Sequence, residues 1–181
     1  MQITSSPWGK PQTQHEITPG ITQVSTASHG GILVSPELFT TMPSCFQLLC
    51  SIEGTWYEED CEINLVVLAF PGHFPDASIW AALNFLSNSR FGRDLFPSAA
   101  EYIDGPAGES LRQRRQSFID ACGHLYTRGS ISSSKNGWNA SFSRIRDGST
   151  ASVSDLQTDE VFGSSIFDLT RFGARVKHAP A

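Results

Sequence analysis

Residues 21–34 read ITQVSTASHGGILV and are followed at once by Ser35-Pro36-Glu37. Ile21, Gln23, Ser25 and Ala27 alternate with Thr22, Val24 and Thr26, and Thr and Val favour a pleated surface, so Ile21–Ala27 is expected to be a strand. Gly30-Gly31 turns the chain, and Ile32-Leu33-Val34 returns as a second strand, with His29 at the bend of the hairpin. Ser35-Pro36-Glu37 is helix-start chemistry: a hydroxyl at the N-cap, proline at the first helical position and an acid in the first turn. A hairpin that leads directly into a helix argues for an α+β chain.

Working toward the N-terminus, residues 1–20 are polar and carry Pro7, Pro11 and Pro19, which predicts an extended arm, with Trp8 placed to pin it to the body. Working forward, Pro43 breaks the first helix, and Cys45–Cys50 suits one further turn. Trp56-Tyr57-Glu58-Glu59-Asp60 precedes an apolar run, Ile63–Phe70, that fits a buried strand or a helix. Three acids ahead of it suit the positive end of a helix dipole, which favours a helix over 58–70, whereas β-branched Val66 and Val67 pull the other way. Pro71, Gly72 and Pro75 end that element. Asp76 is positioned to cap a helix from Ala77 to Leu86. Residues 87–106, with Arg90, Gly92, Arg93 and Pro97, read as loop. A further helix over 108–125 shows capping-box spacing at Ser110 and Gln113, with Leu111, Phe118, Cys122 and Leu125 along one face and Arg112, Arg114 and Arg115 away from it.

Beyond residue 125 the composition turns to Ser, Thr, Asn and Gly. Asn136-Gly137 is a strong hairpin signal and Asp147-Gly148 a second, so 126–154 predicts a three-stranded meander, with further strands over Val161–Leu169 and Arg171–His178. The expected architecture is α+β, with small antiparallel sheets packed with about three to four helices in a single compact domain. Residues 1–95 form the α/β region, and 96–181 a helix followed by a β-rich meander, either part of the same domain or a small appended lobe.

The chain has 181 residues, 39% hydrophobic and only 17% charged, with a net charge of −5. That length buries a core without metal or disulfide. Acidity argues against a DNA binder that relies on phosphate neutralisation, so direct nucleic-acid binding is not expected. No stretch reads as a membrane span and the start lacks the layout of a secretory signal. Cys45, Cys50, Cys61 and Cys122 make no Cys-x-x-Cys pair, which points to reduced thiols in a cytoplasmic protein. The Asn139-Ala140-Ser141 sequon then carries no meaning.

His29 beside two glycines leaves backbone open to close approach by a ligand, and Glu58, Glu59 and Asp60 lie thirty residues on. A histidine with two or three carboxylates can hold a divalent metal, with His29, Glu59 and Asp60 as candidate ligands, or divide general-base and orienting roles. Turn chemistry and the helix dipole account for the same residues without any site, so no catalytic residue and no cofactor is assigned outright. Ser28 and Cys61 are the candidate nucleophiles, but no nucleophile elbow, phosphate loop or Cys-protease signature accompanies them. His15, His73, His124 and His178 have no partner nearby in sequence. Arg112, Arg114 and Arg115, with Arg90 and Arg93 upstream, form the one basic cluster, suited to phosphate or carboxylate pairing or to a solvated helix face. The acidic segment 53–62 conversely imitates a phosphate track.

Trp8-Gly9, Pro19-Gly20-Ile21, Ser25 through Ile32 and Trp56 through Asp60 together resemble an uncharacterised domain family of plasmid- and phage-borne proteins. That family includes large multidomain proteins that travel with antirestriction modules. The resemblance covers residues 7–86 well and is loose afterwards. It implies a mobile-element protein, cytoplasmic in a bacterial host and aimed at host defence, and it implies no established catalysis. The first expectation is an anti-CRISPR-like inhibitor that binds a Cas effector or a related nucleic-acid-binding complex through Glu58, Glu59, Asp60, Arg112, Arg114 and Arg115. The alternatives are a small metal-assisted hydrolase or modifying enzyme centred on His29 and those acids, and a structural or regulatory accessory protein acting as a homodimer.

Overall fold

The computed structural model describes residues 2–48, 55–162 and 164–179. Contacts divide the chain into two units, residues 1–115 and 116–181, each with its own core. The division lies beyond residue 95 because the segment after it is helical and packs into the first core.

In the first unit, β1 (Thr13–Thr18), β2 (Ile21–Ser25), β3 (Gly30–Val34) and β4 (Trp56–Glu58) form an antiparallel sheet in that order. The hairpin of β2 and β3 forms as expected, but its turn is Thr26–His29, closed by the Thr26 N–H on the His29 carbonyl, and Gly30 and Gly31, expected to turn the chain, are strand residues paired with Ser25 and Val24. The N-terminal arm is only partly an arm. Trp8 pins it, meeting Trp56 edge-on at 5.7 Å between ring centroids, but Thr13–Thr18 has joined the sheet as a polar edge strand. Its residues Gln14, His15 and Glu16 are exposed, which is how edge strands discourage further pairing. Ile21, Ile32, Val34 and Tyr57 turn inward and are fully buried. On the opposite face, cross-strand pairing places Glu16, Thr22, Leu33 and Trp56 in one row and Gln14, Val24, Gly31 and Glu58 in the next.

Ser35 caps α1 (Pro36–Phe39) by accepting the Leu38 N–H. A 3-10 turn at Ser44–Phe46 follows and ends at Gln47, which is extended; residues 49 and 50 of the turn expected through Cys50 lie outside the described residues. The helix expected over 58–70 divides. Aromatic Trp56 and Tyr57 go into β4, one under Trp8 and the other into the core, and α2 (Ile63–Ala69) begins only after a turn. Leu65 through Leu68 are all buried, so the run is a helix covered on every side and the β-branched valines do not prevent it.

In α3 (Asp76–Asn88), Asp76 is the first helical residue and not its cap; Pro75 holds the cap position and the Asp76 carboxylate pairs with Arg114. The segment expected as loop holds α4 (Arg90–Leu95) and α5 (Pro97–Asp104). Ser89 caps the first by accepting the Gly92 N–H, and Pro97 starts the second, so local helix-start chemistry was present among residues that read as punctuation. Then α6 (Glu109–Cys122) follows with Ser110 inside the helix; the Glu109 carboxylate, in place of a capping box, accepts from Arg112 and Gln113.

In the second unit, β5 (Tyr126–Ser134), β6 (Gly137–Arg144) and β7 (Thr150–Leu156) are the expected meander. Next come α7 (Thr158–Phe162), β8 (Ile166–Phe167), a 3-10 segment over Leu169–Arg175 and β9 (Val176–His178), giving sheet order β8-β5-β6-β7-β9. The two terminal strands expected here shrink to two and three residues. Leu169 and Phe172 are buried three apart, a spacing that 3-10 geometry satisfies and a strand does not, and Asp168 caps that segment through the Thr170 N–H. The class is α+β, with two antiparallel sheets.

Candidate functional site

The β3–β4 ladder sets Glu58 opposite Gly31, and one residue on the Glu59 N–H donates to the Gly30 carbonyl at 3.2 Å. His29 immediately precedes Gly30. Strand pairing therefore brings His29 to Glu58 and Glu59: an imidazole nitrogen and one oxygen from each carboxylate all lie within 4.8 Å of one another. His29 and Glu59 are exposed, and Glu58 is half-buried. Asp60 is not a member of this group, although the sequence makes it an equal candidate ligand. The chain turns after Glu58, and what Asp60 presents inward is its backbone N–H, which donates to Glu58 Oε2 at 2.8 Å.

Both loops that carry the three groups are tied down. Thr26 Oγ1 donates to the His29 carbonyl at 2.7 Å and accepts the His29 N–H at 3.2 Å. Glu58 Oε2 also accepts the Cys61 N–H, while the Glu58 N–H donates to Glu62 Oε2 at 2.9 Å. One oxygen of Glu58 is thus fixed by the turn, and the other is left for a ligand. Two carboxylates and an imidazole are a donor set for a hard or borderline divalent cation.

The paired glycines have a different tenant from the ligand that the sequence suggests. A Cβ on Gly31 would fall well inside 3.0 Å of the Trp8 ring and of the Tyr57 carbonyl oxygen. One on Gly30 would crowd the Glu59 carboxylate and lie 2.7 Å from the Val24 carbonyl oxygen. The space is taken by the chain's own groups, and it is what allows Glu59 to reach His29. Of the candidate nucleophiles, Ser28 is exposed in the same loop with its N–H on Thr26 Oγ1. The Cys61 thiol is held above its ordinary value by burial first and then by Glu58, Asp60 and Glu62, which disfavours a thiolate.

The arginines do not form an open basic patch. Arg112 donates to the carbonyls of Ile103 and Gly105 and pairs with Glu109. Arg114 takes Asp76 and the carbonyls of Pro71 and Phe74. Arg115 donates to Asn84 Oδ1 at 2.8 Å, and Arg93 pairs with Asp104 at 2.8 Å. These side chains fasten helix ends and turns, so Arg112, Arg114 and Arg115 act as clasps within the first unit. Among the described residues only the Arg90–Asp94 pair lies wholly in solvent. Charge is correspondingly lopsided: residues 1–115 hold six Lys and Arg against twelve Asp and Glu, a net −6, and residues 116–181 hold seven against six.

Sequence reading missed a grouping in the second unit. His124, His178, Asp168 and Tyr126 line one groove, where hydrogen bonds from Thr170 and, more weakly, the charge of His124 hold the Asp168 carboxyl below its usual range. Nothing in the spacing of those residues signals that they meet; β9 and the 3-10 segment bring them together. Arg171 and Arg175 stack over Phe172 nearby. His15 and His73 are exposed.

Among the described residues no helix is long and apolar enough to cross a membrane. No curated protein and no solved structure matches the chain. A family model described as a domain of unknown function, DUF7007, matches residues 1–121, which takes in the acidic first unit with His29, Glu58 and Glu59. The chain therefore belongs to the DUF7007 family.

Proposed function

We propose that the chain is a mobile-element-encoded inhibitor of host defence, anti-CRISPR-like in its action, that binds a Cas effector or a related complex at its basic nucleic-acid channel. The plasmid- and phage-borne setting rests on the resemblance of residues 7–86. The observation that carries the binding mode is electrostatic. Glu58, Glu59 and Asp60 stand together at one end of the first sheet, in a unit of net −6 whose arginines are occupied by the chain's own carbonyls and carboxylates. An uncompensated acidic end steers toward, and competes for, a surface built to hold phosphates.

The test is phage plaquing on hosts with active, targeting CRISPR–Cas systems, followed by capture of the effector. The wild type is expected to restore plaquing and to form a stoichiometric complex that weakens with salt. Glu59→Lys with Asp60→Lys, which spares the turn held by Glu58, is expected to abolish both while circular dichroism is unchanged. Restoration that is indifferent to this reversal removes the acidic mode, and failure across several system types removes the inhibitor reading.

The convergence of His29 with Glu58 and Glu59 favours a second reading, a small metal-assisted hydrolase or modifying enzyme. His29 and Glu58, whose orientation the turn fixes, would be the ligands, and the exposed Glu59 would take a proton from bound water. Calorimetric titration with Mn2+ and Zn2+ tests it: one site per chain, lost in His29→Ala without loss of folding. No saturable binding by either ion ends this reading.

A further inference from the structure

A groove in the first unit, distinct from the His29 site, has an apolar floor and an acidic rim. Its floor is made by Ile3, Pro19, Leu33 and Leu38, and Glu16 and Glu37 line it as well. It encloses about 480 Å3, within the range of small-molecule sites, roughly 300–1,000 Å3. The sheet and α1 build it jointly. Glu16, Thr22 and Leu33 stand side by side across β1, β2 and β3, and Leu38 comes from the helix that Ser35 caps. Gly20 makes room for it: its φ is +87°, and a Cβ there would lie 2.9 Å from Leu38 Cδ1 and 3.0 Å from Ser35 Oγ.

The charge in this groove is of one sign. Neither Glu16 nor Glu37 takes part in an ion pair among the described residues, and no Lys, Arg or His lines the groove. In the same unit Asp76 and Asp104 are each answered by an arginine, Arg114 and Arg93. The Glu37 carboxyl lies below its usual range because a backbone N–H and the Ser35 hydroxyl favour its charged form, so it stays ionised in neutral solution. Two carboxylates over an apolar trough complement a cation whose stem is apolar.

We propose that this groove binds a small organic cation, an ammonium or guanidinium group on a short aliphatic stem, with the stem over Leu33 and Leu38 and the head between Glu16 and Glu37. A neutral molecule of the same length would satisfy the floor and leave both carboxylates without a counter-charge. An inorganic cation would do the reverse. The class recognised is therefore an aliphatic amine or guanidine.

The experiment is a two-dimensional amide NMR titration of the full chain with n-pentylamine and with n-butylguanidine, set beside 1-pentanol, Mg2+ and a short lysine-rich peptide. Either cation is expected to give saturable shifts confined to residues around 16, 20, 22, 33 and 37. Neutralising the rim with Glu16→Gln and Glu37→Gln together is expected to weaken binding about tenfold, the scale of two exposed charge contacts. Both positions are exposed and accept Gln without loss of fold, which the unperturbed remainder of the spectrum verifies. Absence of saturable shifts, equal binding of 1-pentanol, undiminished binding in the double variant, or binding of the peptide alone would each overturn the proposal.

Discussion

Replacing Gly31 by alanine is expected to destabilise the first unit by about 3 kcal/mol, at the upper end of what overpacking costs. The added Cβ would lie well inside 3.0 Å of two groups, the Trp8 ring and the Tyr57 carbonyl oxygen. Carbon atoms rest comfortably at about 3.5–4.0 Å, so each overlap has to be relieved by movement. The ring can swing away at the cost of its edge contact with Trp56. The carbonyl cannot, because the ladder fixes β4 against β3 through Ile32–Tyr57 and Leu33–Trp56. Trp8→Ala removes a half-buried ring and is expected to cost about 2 kcal/mol. In the double variant the ring overlap is gone and the carbonyl overlap remains, so its cost should fall below the sum of the single costs by more than about 0.5 kcal/mol, yet exceed that of Trp8→Ala. Urea unfolding followed by circular dichroism at 222 nm reads this; with a slope of about 2 kcal/mol/M the Gly31→Ala midpoint drops by about 1.5 M. A Gly31→Ala protein within about 0.5 kcal/mol of wild type, the ordinary range of surface substitutions, would refute the idea that close approach, and not an open ligand-facing loop, requires this glycine.

Three further outcomes follow from the same contacts. Tyr57→Phe deletes the buried hydroxyl that donates to the Phe46 carbonyl at 3.0 Å and sits 3.4 Å from Met42 Sδ; leaving that carbonyl unpaired is expected to cost about 1–2 kcal/mol, read as a lower urea midpoint with unchanged slope. Arg114→Gln breaks the bonds to the carbonyls of Pro71 and Phe74 and the half-exposed pair with Asp76, for a loss of about 1–2 kcal/mol seen as a lower midpoint, most of it from the carbonyls. Asp147, whose carboxyl is held down to about 2 by hydrogen bonds from Arg144 and then from Ser149, titrates far below the ordinary 3.8. A depressed carboxylate stabilises the folded state above the unfolded value, and that contribution fades as pH falls through about 2; an NMR pH titration should show this, with Arg144→Gln raising the midpoint back toward 3.8.

What the residues disclosed by themselves was local. Ser35-Pro36-Glu37 starts a helix, Asn136-Gly137 and Asp147-Gly148 turn hairpins, and the β2–β3 hairpin with His29 at its bend is where its alternation places it. Each of these rests on interactions spanning a few residues, such as the Ser35 cap or the Asp147 carboxylate accepting the Ser149 N–H. Tertiary structure decided the rest. The polar segment 13–18 has no strand periodicity and becomes β1 because β2 offers it an unpaired edge. Trp56 and Tyr57 are a strand because β3 lies beside them, so Glu58 leaves the helix start that its charge suggests. Of four candidate site residues, pairing register brings His29, Glu58 and Glu59 together and turns the Asp60 side chain out of the group, a distinction of one residue that composition cannot carry. Of the arginines that look like a surface cluster, Arg114 and Arg115 find oxygen partners more than thirty residues away, and His124, Asp168 and His178 come to line one groove only once the second sheet has formed. Local chemistry is written in neighbouring residues; a site assembled across strands is fixed by which edges pair and in what register, and that is settled by which face of each strand the core buries.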